Sequence, residues 1–229
     1  MSTESEARRM VRPADKVLAP TATSTVARAL REPGRAGRVA LQLARGWWYK
    51  LWFRLRGLRF QAGRNLRASG RLRIRGPGRV VLGDNVHIDG LVTPWTYTAD
   101  AVISIGSDSY VNGTRFGCAR EISIGRGAIL ADARILDTDF HSTRADRHDP
   151  TVPVRVAPVR LGENVWVAGA AGILPGTTIG RNSVVAFGAV CAGAYPGDVI
   201  IAGNPARPIG PIPGAADATA GRPEKSEGP

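Results

Sequence analysis

Histidine is the side chain that titrates nearest neutral pH, and this sequence of 229 residues has three: His87, His141 and His148. His141 stands in LDTDFHSTRADRHDP, where a regular apolar pattern gives way to a charged stretch. A solvated imidazole at such a place can take a proton from a hydroxyl. Asp139, two residues earlier, could orient the ring or raise its basicity, and Asp137 is a weaker candidate for the same task. Residue types alone leave the bland alternative open, a loop histidine with no chemistry. His148 lies deeper in the charged stretch without a motif around it, and His87, in VHIDG, falls on a repeat where a structural role fits. The histidines lack the close pairing that zinc sites use. No GxSxG, P-loop or paired CxxC occurs, so serine hydrolase, nucleotidase and zinc-module chemistry have no support.

The pattern that must position these groups is clearest from Val159 to Pro196. Leu161, Val167, Ile173, Ile179, Val185 and Cys191 recur at a strict spacing of six, and Val165, Ala171, Thr177, Ser183 and Ala189 follow the first five by four. Six is neither a helical nor a simple strand period. A short fixed period marks a solenoid, whose units bury their apolar faces only by stacking. With three six-residue sides per coil, Leu161 stacks under Ile179, Val167 under Val185 and Ile173 under Cys191. The small residues fit the corners, and Gly162 and Gly180 are read as supplying backbone angles that other residues resist.

Weaker repeats begin near Leu72-Arg73-Ile74 and sharpen at Val81–Val86, Ile103–Gly106 and Ile122–Gly125. Leu82, Ile105 and Ile124 are not multiples of six apart, so short insertions must bulge at corners, for example around Thr93–Thr98. A longer interruption, 141–158, carries charges and prolines and reads as a projecting loop. The domain plan is therefore a mostly disordered arm over 1–36, with some helix around Thr25–Arg31, a helix over 37–62, a solenoid over 63–210, and a disordered tail over 211–229.

The net charge of +12 is concentrated at one end: residues 1–80 carry +15 and the remainder −3. A nearly neutral repeat region argues against nucleic acid as the partner of the whole protein. Within 37–60, Trp47, Trp48, Leu51, Trp52, Leu55 and Leu58 share one helical face, with Lys50 and Arg54 opposite. Such a segment suits the membrane interface. The second reading is a cap on the open end of a solenoid, and the third is nucleic-acid binding. Cys118 and Cys191 are far apart, and Cys191 takes an inward repeat position, so free thiols and a reducing, cytoplasmic setting are expected. No apolar run approaches the ~20 residues that span a bilayer.

The six consecutive hexads resemble the hexapeptide-repeat, left-handed parallel β-helix, an all-β fold carried mostly by acyltransferases. Residues 136–209 are similar to the galactoside, maltose and colanic-acid-type O-acetyltransferases and to the xenobiotic acetyltransferases. That resemblance implies a homotrimer, acetyl-CoA as co-substrate and no metal. The γ-class carbonic anhydrases share the fold, but their paired zinc-binding histidines are absent here. The resemblance makes His141 the general base, followed by a variable loop and LGENVWVAG, and makes Asn112, in IGSDSYVNG, a residue that holds the acceptor. Asn112 also reads as a turn residue tolerant of left-handed angles. Trp166 matches the aromatic residue beside pantetheine. Gly169, Phe187 and Ala192 match positions along the coenzyme groove, although Gly169 and Phe187 depart from the small and hydroxyl residues usual there. GNPA is followed by Arg207, whose guanidinium suits phosphate.

The expected activity is transfer of an acetyl group to a hydroxyl of a sugar or glycan precursor. A small antibiotic-like molecule and an amino sugar are the other acceptors considered. The rival from a different class is a non-catalytic scaffold that binds membrane or nucleic acid through its basic arm.

Overall fold

The computed structural model describes residues 33–214. The arm expected over 1–36, its helix near Thr25–Arg31, and the tail beyond 214 lie wholly or largely outside the described residues. The chain divides into two units, 1–38 and 39–229. In the first, the described residues open the helix Pro33–Leu55, which begins four residues before the expected 37–62 and stops seven short of its end, because Gly57 turns left-handed (φ 67°) and Phe60–Ala62 is already the first strand of the solenoid. The second holds the rest of that helix and a solenoid of three parallel sheets with seven, eight and six strands, here called faces A, B and C.

Each coil visits A, then B, then C, and turns a corner after each. The inward columns explain why. On face A, Leu82, Ile105, Ile124, Leu161, Ile179 and Tyr195 stack in register. Face B stacks Ala68, Ile88, Val111, Leu130, Val167, Val185 and Ile201. Face C stacks Pro94, Phe116, Ile135, Ile173 and Cys191. All are buried and form one continuous apolar column. The three stacked pairs expected from the hexads are those in the structure. Val165, Ala171, Thr177, Ser183 and Ala189 are fully buried at the corners.

The corners themselves differ from expectation in one respect. Gly162 and Gly180 are not in left-handed conformations. They are required because an added Cβ would lie 2.7 Å from the Arg181 amide and 2.3 Å from the Gly197 amide of the next coil. The left-handed residues are the asparagines two positions on, Asn164 (φ 55°) and Asn182 (φ 57°). Asparagine tolerates that region, and here it also links coils: Asn164 donates to Asn182 at 3.1 Å and Asn182 to Asp198 at 2.6 Å. The same ladder joins Asn65, Asn85 and Asp108 lower down.

Thr93–Thr98 is not a corner bulge. Leu91–Thr96 is a continuous strand of face C, and the extra residues project after it. Pro94 fits because only its carbonyl is needed, accepting from the Arg75 amide at 3.0 Å.

The lower end of the solenoid is capped by the helix, and face B of the upper end is covered by one antiparallel strand. An open end presents unpaired backbone groups that template further pairing. Arg45 donates to the carbonyls of Ser69 and Gly70 at 3.1 and 3.0 Å, Lys50 donates to that of Gly63, and the Leu72 amide donates to the Tyr49 hydroxyl at 3.1 Å. Gly46 allows the contact, since a Cβ there would stand 1.9 Å from the Leu66 carbonyl oxygen. Phe53 is buried against the core, a gain of ~1.5–3 kcal/mol. The helix therefore caps the solenoid with Arg45, Gly46, Tyr49, Lys50 and Phe53, and leaves Trp47, Trp48, Trp52 and Leu55 exposed. The cap and the tryptophan face, rivals in the sequence, belong to different sides of one helix. No helix among the described residues is long and apolar enough to cross a membrane. At the other end Val199–Gly203 pairs antiparallel with Ala206–Pro211 through a turn with a cis Asn204–Pro205 bond. Pro208 and Pro211 remove donors from that last edge.

Candidate active site

His141 emerges at the corner between faces C and A. The strand Arg134–Leu136 ends face C in its coil, and the chain then leaves the solenoid for the expected projecting loop. The loop is pinned at its base. Thr138 bridges Val156 antiparallel, the Asp139 amide donates to the Arg155 carbonyl at 3.1 Å, and the Ala157 amide donates to that of Asp137 at 2.9 Å. Chain reversal is tightened at Phe140, held at φ 60°, and the His141 amide donates to the Asp139 carbonyl at 2.7 Å. His141 is thus an exposed imidazole on a fixed backbone. His148 is exposed farther out in the same loop.

The two aspartates before it divide their work. Asp137 is fully buried and accepts from the amides of Ala119, Arg120 and Glu121 at 2.6–2.7 Å and from the Cys118 thiol at 3.3 Å. It ties the loop base to the coil below and has no capacity left to orient His141. Burial, with the Asp137 carboxylate beside it, pushes the Cys118 thiol far above its usual range. Asp139 is half-buried, with no side-chain hydrogen bond among the described residues, and its carboxylate is available to a ligand or to His141. Cys191 is buried, and burial raises its thiol to about 11. Both cysteines are free.

Asn112 does not share this corner. It ends the face B strand Tyr110–Asn112, paired with Asp89 and Ala131, and its amide oxygen covers Gly90. The left-handed turn residue there is Gly113 (φ 62°), not Asn112. His87 is buried on the same face, edge-on to Tyr110 and 2.9 Å from the Ser69 hydroxyl, as its structural reading required.

The candidate donor residues gather at the corner between faces B and C. Trp166 opens the face B strand Trp166–Val167 and is 46% exposed. Gly169 follows at the corner, and the exposed Phe187 ring of the next coil lies over it, where a Cβ would approach at 3.3 Å. Arg207 pairs with Ala202, one residue past the Ile201 that stacks on Val185. Gly169, Phe187 and Arg207 therefore ascend one edge. The amides of Ala168 and Ala170 are committed to Val185 and Asp132 carbonyls. Among the described residues the Gly169 amide has no such partner. Ala192 lies elsewhere, exposed at the corner between C and A, in register above Leu174 and Leu136 and so above His141's own coil.

Sequence reading passed over three aromatic residues beside His141. Trp95 and Tyr97 stack with centroids 5.2 Å apart, and Tyr97 meets Phe140 edge-on at 5.0 Å. The i, i+2 spacing of Trp95 and Tyr97 on an extended chain was the available signal. Among the described residues no group of three or more His, Cys, Asp or Glu is placed to hold a metal ion.

Residues 158–193 match the bacterial transferase hexapeptide family, six repeats. The chain is 31% identical over 128 residues to an Escherichia coli protein named as a colanic acid biosynthesis acetyltransferase, WcaF, covering 55% of this chain and 65% of that one. It is 34% identical over 113 residues to a Mycobacterium tuberculosis protein named as an acetyltransferase, covering 47% of this chain and 34% of that one. The chain thus spans from a third to just under two thirds of the length of these curated relatives. Its fold matches a hexapeptide-repeat acetyltransferase of Vibrio cholerae, a structure complexed with acetyl coenzyme A. There the TM-score is 0.51 at 20% identity, over 82% of this chain and 91% of that one.

Proposed function

We propose that this chain, a hexapeptide-repeat β-helix protein, is a coenzyme A-dependent O-acetyltransferase acting on a hydroxyl of a sugar or glycan precursor. The observation that carries the reading is the corner where Gly169, Phe187 and Arg207 ascend one edge, starting in the coil of Trp166. Arg207 offers a fork to the phosphates of the nucleotide end, and Trp166 and Phe187 offer apolar surface to pantetheine and acyl group. Ala192 sits at the rim from which His141 projects.

His141 takes the proton of the acceptor hydroxyl as its oxygen attacks the thioester carbonyl. The tetrahedral intermediate collapses, the carbon–sulfur bond breaks, and the departing thiolate recovers the proton from the imidazolium. The products are an acetyl ester and free coenzyme A. The unpaired Gly169 amide suits an oxyanion donor, and Asp139 suits the role of orienting His141. Asn112 ends its face B strand beside the B–C corner, and its expected part in holding the acceptor would be played across the subunit contact.

One chain separates the two halves of this machinery. Five residue steps along face C, at ~3.3 Å each, put the donor edge on the order of 16 Å from the corner of His141. A second copy supplies the missing half, and a closed trimer satisfies all sites equally. Face B offers the contact, because Tyr110, Ile129, Trp166, Val184 and Ile200 stack outward on it as a partly exposed ladder. The exposed Trp47, Trp48, Trp52 and Leu55, with Arg54 and Arg56 nearby, suit peripheral contact with the inner face of an anionic membrane. Sedimentation with anionic vesicles that fails to retain the protein would remove that part of the reading.

The experiment that tests the activity is a calorimetric titration with acetyl-CoA, which needs no acceptor. Saturable binding near one site per chain is expected, weakened at least about tenfold by Arg207→Ala. An absence of binding would turn the reading to a non-catalytic scaffold.

A further inference from the structure

Face C carries an outward surface unlike the other two. Arg115 and Arg134 stand in register on adjacent coils, with Thr93 below them. Arg71, Arg73 and Arg75 are exposed on the coil beneath, where Arg75 bridges to Trp95. Only Arg134 has an ion pair, with Asp132 at 3.5 Å; Arg71, Arg73 and Arg115 have none among the described residues.

Alongside this column runs the aromatic strip. The Arg75 guanidinium lies 5.4 Å from the Trp95 ring centre, Trp95 stacks on Tyr97, and Tyr97 meets Phe140. Three ring systems contribute, and all remain 36–43% exposed. The strip is built rather than incidental. Gly117, in register with Trp95 and Leu136, leaves a notch that the Phe140 ring fills, and a Cβ there would stand 2.5 Å from that ring. Phe140 reaches the notch from a left-handed conformation, and His141 is the next residue.

We infer that face C is the acceptor lane, and that its occupant is an anionic glycan. A pyranose ring lies on Trp95, Tyr97 and Phe140, and carboxylate or phosphate groups of the same glycan pair with Arg75, Arg115 and Arg134. Aromatic faces receive the C–H side of a sugar ring, and guanidinium forks pair with either anion. Coil spacing places Arg115 and Arg134 ~4.8 Å apart across the sheet, and Arg75 stands two coils below Arg115, beside Trp95, a spread of cations that a compact neutral acceptor cannot engage. This deepens the acetyltransferase reading by naming its acceptor class, and it rests on that reading for the hydroxyl delivered to His141.

The test measures binding to the full chain without turnover, so it can fail while acetyl-CoA still binds, and the reverse. Tryptophan fluorescence and calorimetry would follow titration with oligogalacturonate, with a phosphorylated mannose oligosaccharide, and with a neutral maltooligosaccharide of equal length. At least one acidic probe is expected to bind about tenfold or more tightly than the neutral one, with an affinity that falls as salt rises. Whichever acidic probe binds better identifies the anion. Trp95→Ala and the double variant Arg115→Ser/Arg134→Ser should each weaken it at least about fivefold, with unchanged melting temperature and acetyl-CoA affinity. Equal binding of acidic and neutral probes, binding of none, or variants that leave affinity intact would overturn the inference. A Trp95→Ala protein that loses its oligomeric mass would also overturn it, because the strip would then be a subunit contact.

Discussion

Faces B and C share one inward design and have opposite outward ones. Inside, both present a buried apolar side chain in each coil, Val111, Leu130 and Val167 on B against Phe116, Ile135 and Ile173 on C. Outside, B stacks Tyr110, Ile129, Trp166 and Val184, whereas C stacks Thr93, Arg115 and Arg134. Strand alternation frees every second residue from the core. The inward set fixes the fold, and the outward set is left to choose partners. On the proposed reading, the apolar face gathers protein and donor, and the basic face with its aromatic edge gathers an anionic acceptor.

The largest expected effect falls where the two assignments meet. His141→Ala should lose ~10²–10⁴-fold in turnover once an acceptor is in hand. Acetyl-CoA affinity, proposed for the B–C corner, should not move. A variant with full turnover would remove His141 from the chemistry. A variant that loses donor affinity as well would mean that His141 also holds the donor.

The next effect concerns assembly. Ile129→Glu puts a charge in the middle of face B's outward ladder and should reduce the mass in sedimentation from that of the proposed trimer to that of a monomer at micromolar concentration. A buried unpaired charge at an interface costs several kcal/mol. Arg115→Glu, the corresponding change on face C, should leave the mass unchanged. If both variants dissociate, or neither does, the contrast between the faces fails.

A third variant separates the base of the loop from its chemistry. Asp137→Asn keeps the shape of the side chain but cannot accept from three amides and a thiol. Each buried donor left short costs ~1–3 kcal/mol. At ~2–4 °C per kcal/mol for a domain of this size, a fall of roughly 5–15 °C in melting temperature is expected. Turnover measured well below that temperature should fall far less than in His141→Ala. A stable but inactive Asp137→Asn protein would instead give Asp137 a part in the chemistry.

How much of this was legible in the sequence follows from the same division. Inward residues are visible because a period of six cannot be satisfied by helix or simple strand, and the stacking of Leu161 on Ile179 follows by arithmetic. Corner residues were legible in kind but not in cause. Gly162 is forced by the approach of the next coil rather than by its own dihedral angles, a contact that no single repeat contains. Outward residues were least legible. Trp95 and Tyr97 looked like an interruption because their partner, Phe140, comes two coils later. Asp137 and Asp139 differ by two positions, yet only one faces the amides of the coil below. For the helix, periodicity found the tryptophan face, but the capping side uses a glycine, a tyrosine and the charged heads of Arg45 and Lys50, which periodicity does not weigh.

The smallest expected effect lies within face B and tests how its polar lower end differs from its apolar upper one. Below Ile129 the outward position is Tyr110, whose hydroxyl donates to Asp89 at 2.8 Å. Burial, together with that carboxylate, raises the phenol to about 12. Burial works against the Asp89 charge, but the bonds from Tyr110 and the Gly90 amide hold the carboxyl below its ordinary range. The signs are opposite. Tyr110 contributes stability that is complete below pH ~10, where unfolded tyrosine is still neutral, and is lost as pH rises towards about 12. Asp89 contributes stability that is present above pH ~4 and is lost as pH falls through its lowered folded value. Tyr110→Phe should therefore flatten the alkaline limb of a melting profile and, by taking the donor from Asp89, reduce the acid limb as well. Ile129→Val, one coil above, should lower the melting temperature by a similar small amount at every pH. Parallel profiles for the two variants would mean that the Asp89–Tyr110 pair contributes packing alone, and that face B is uniform along its length.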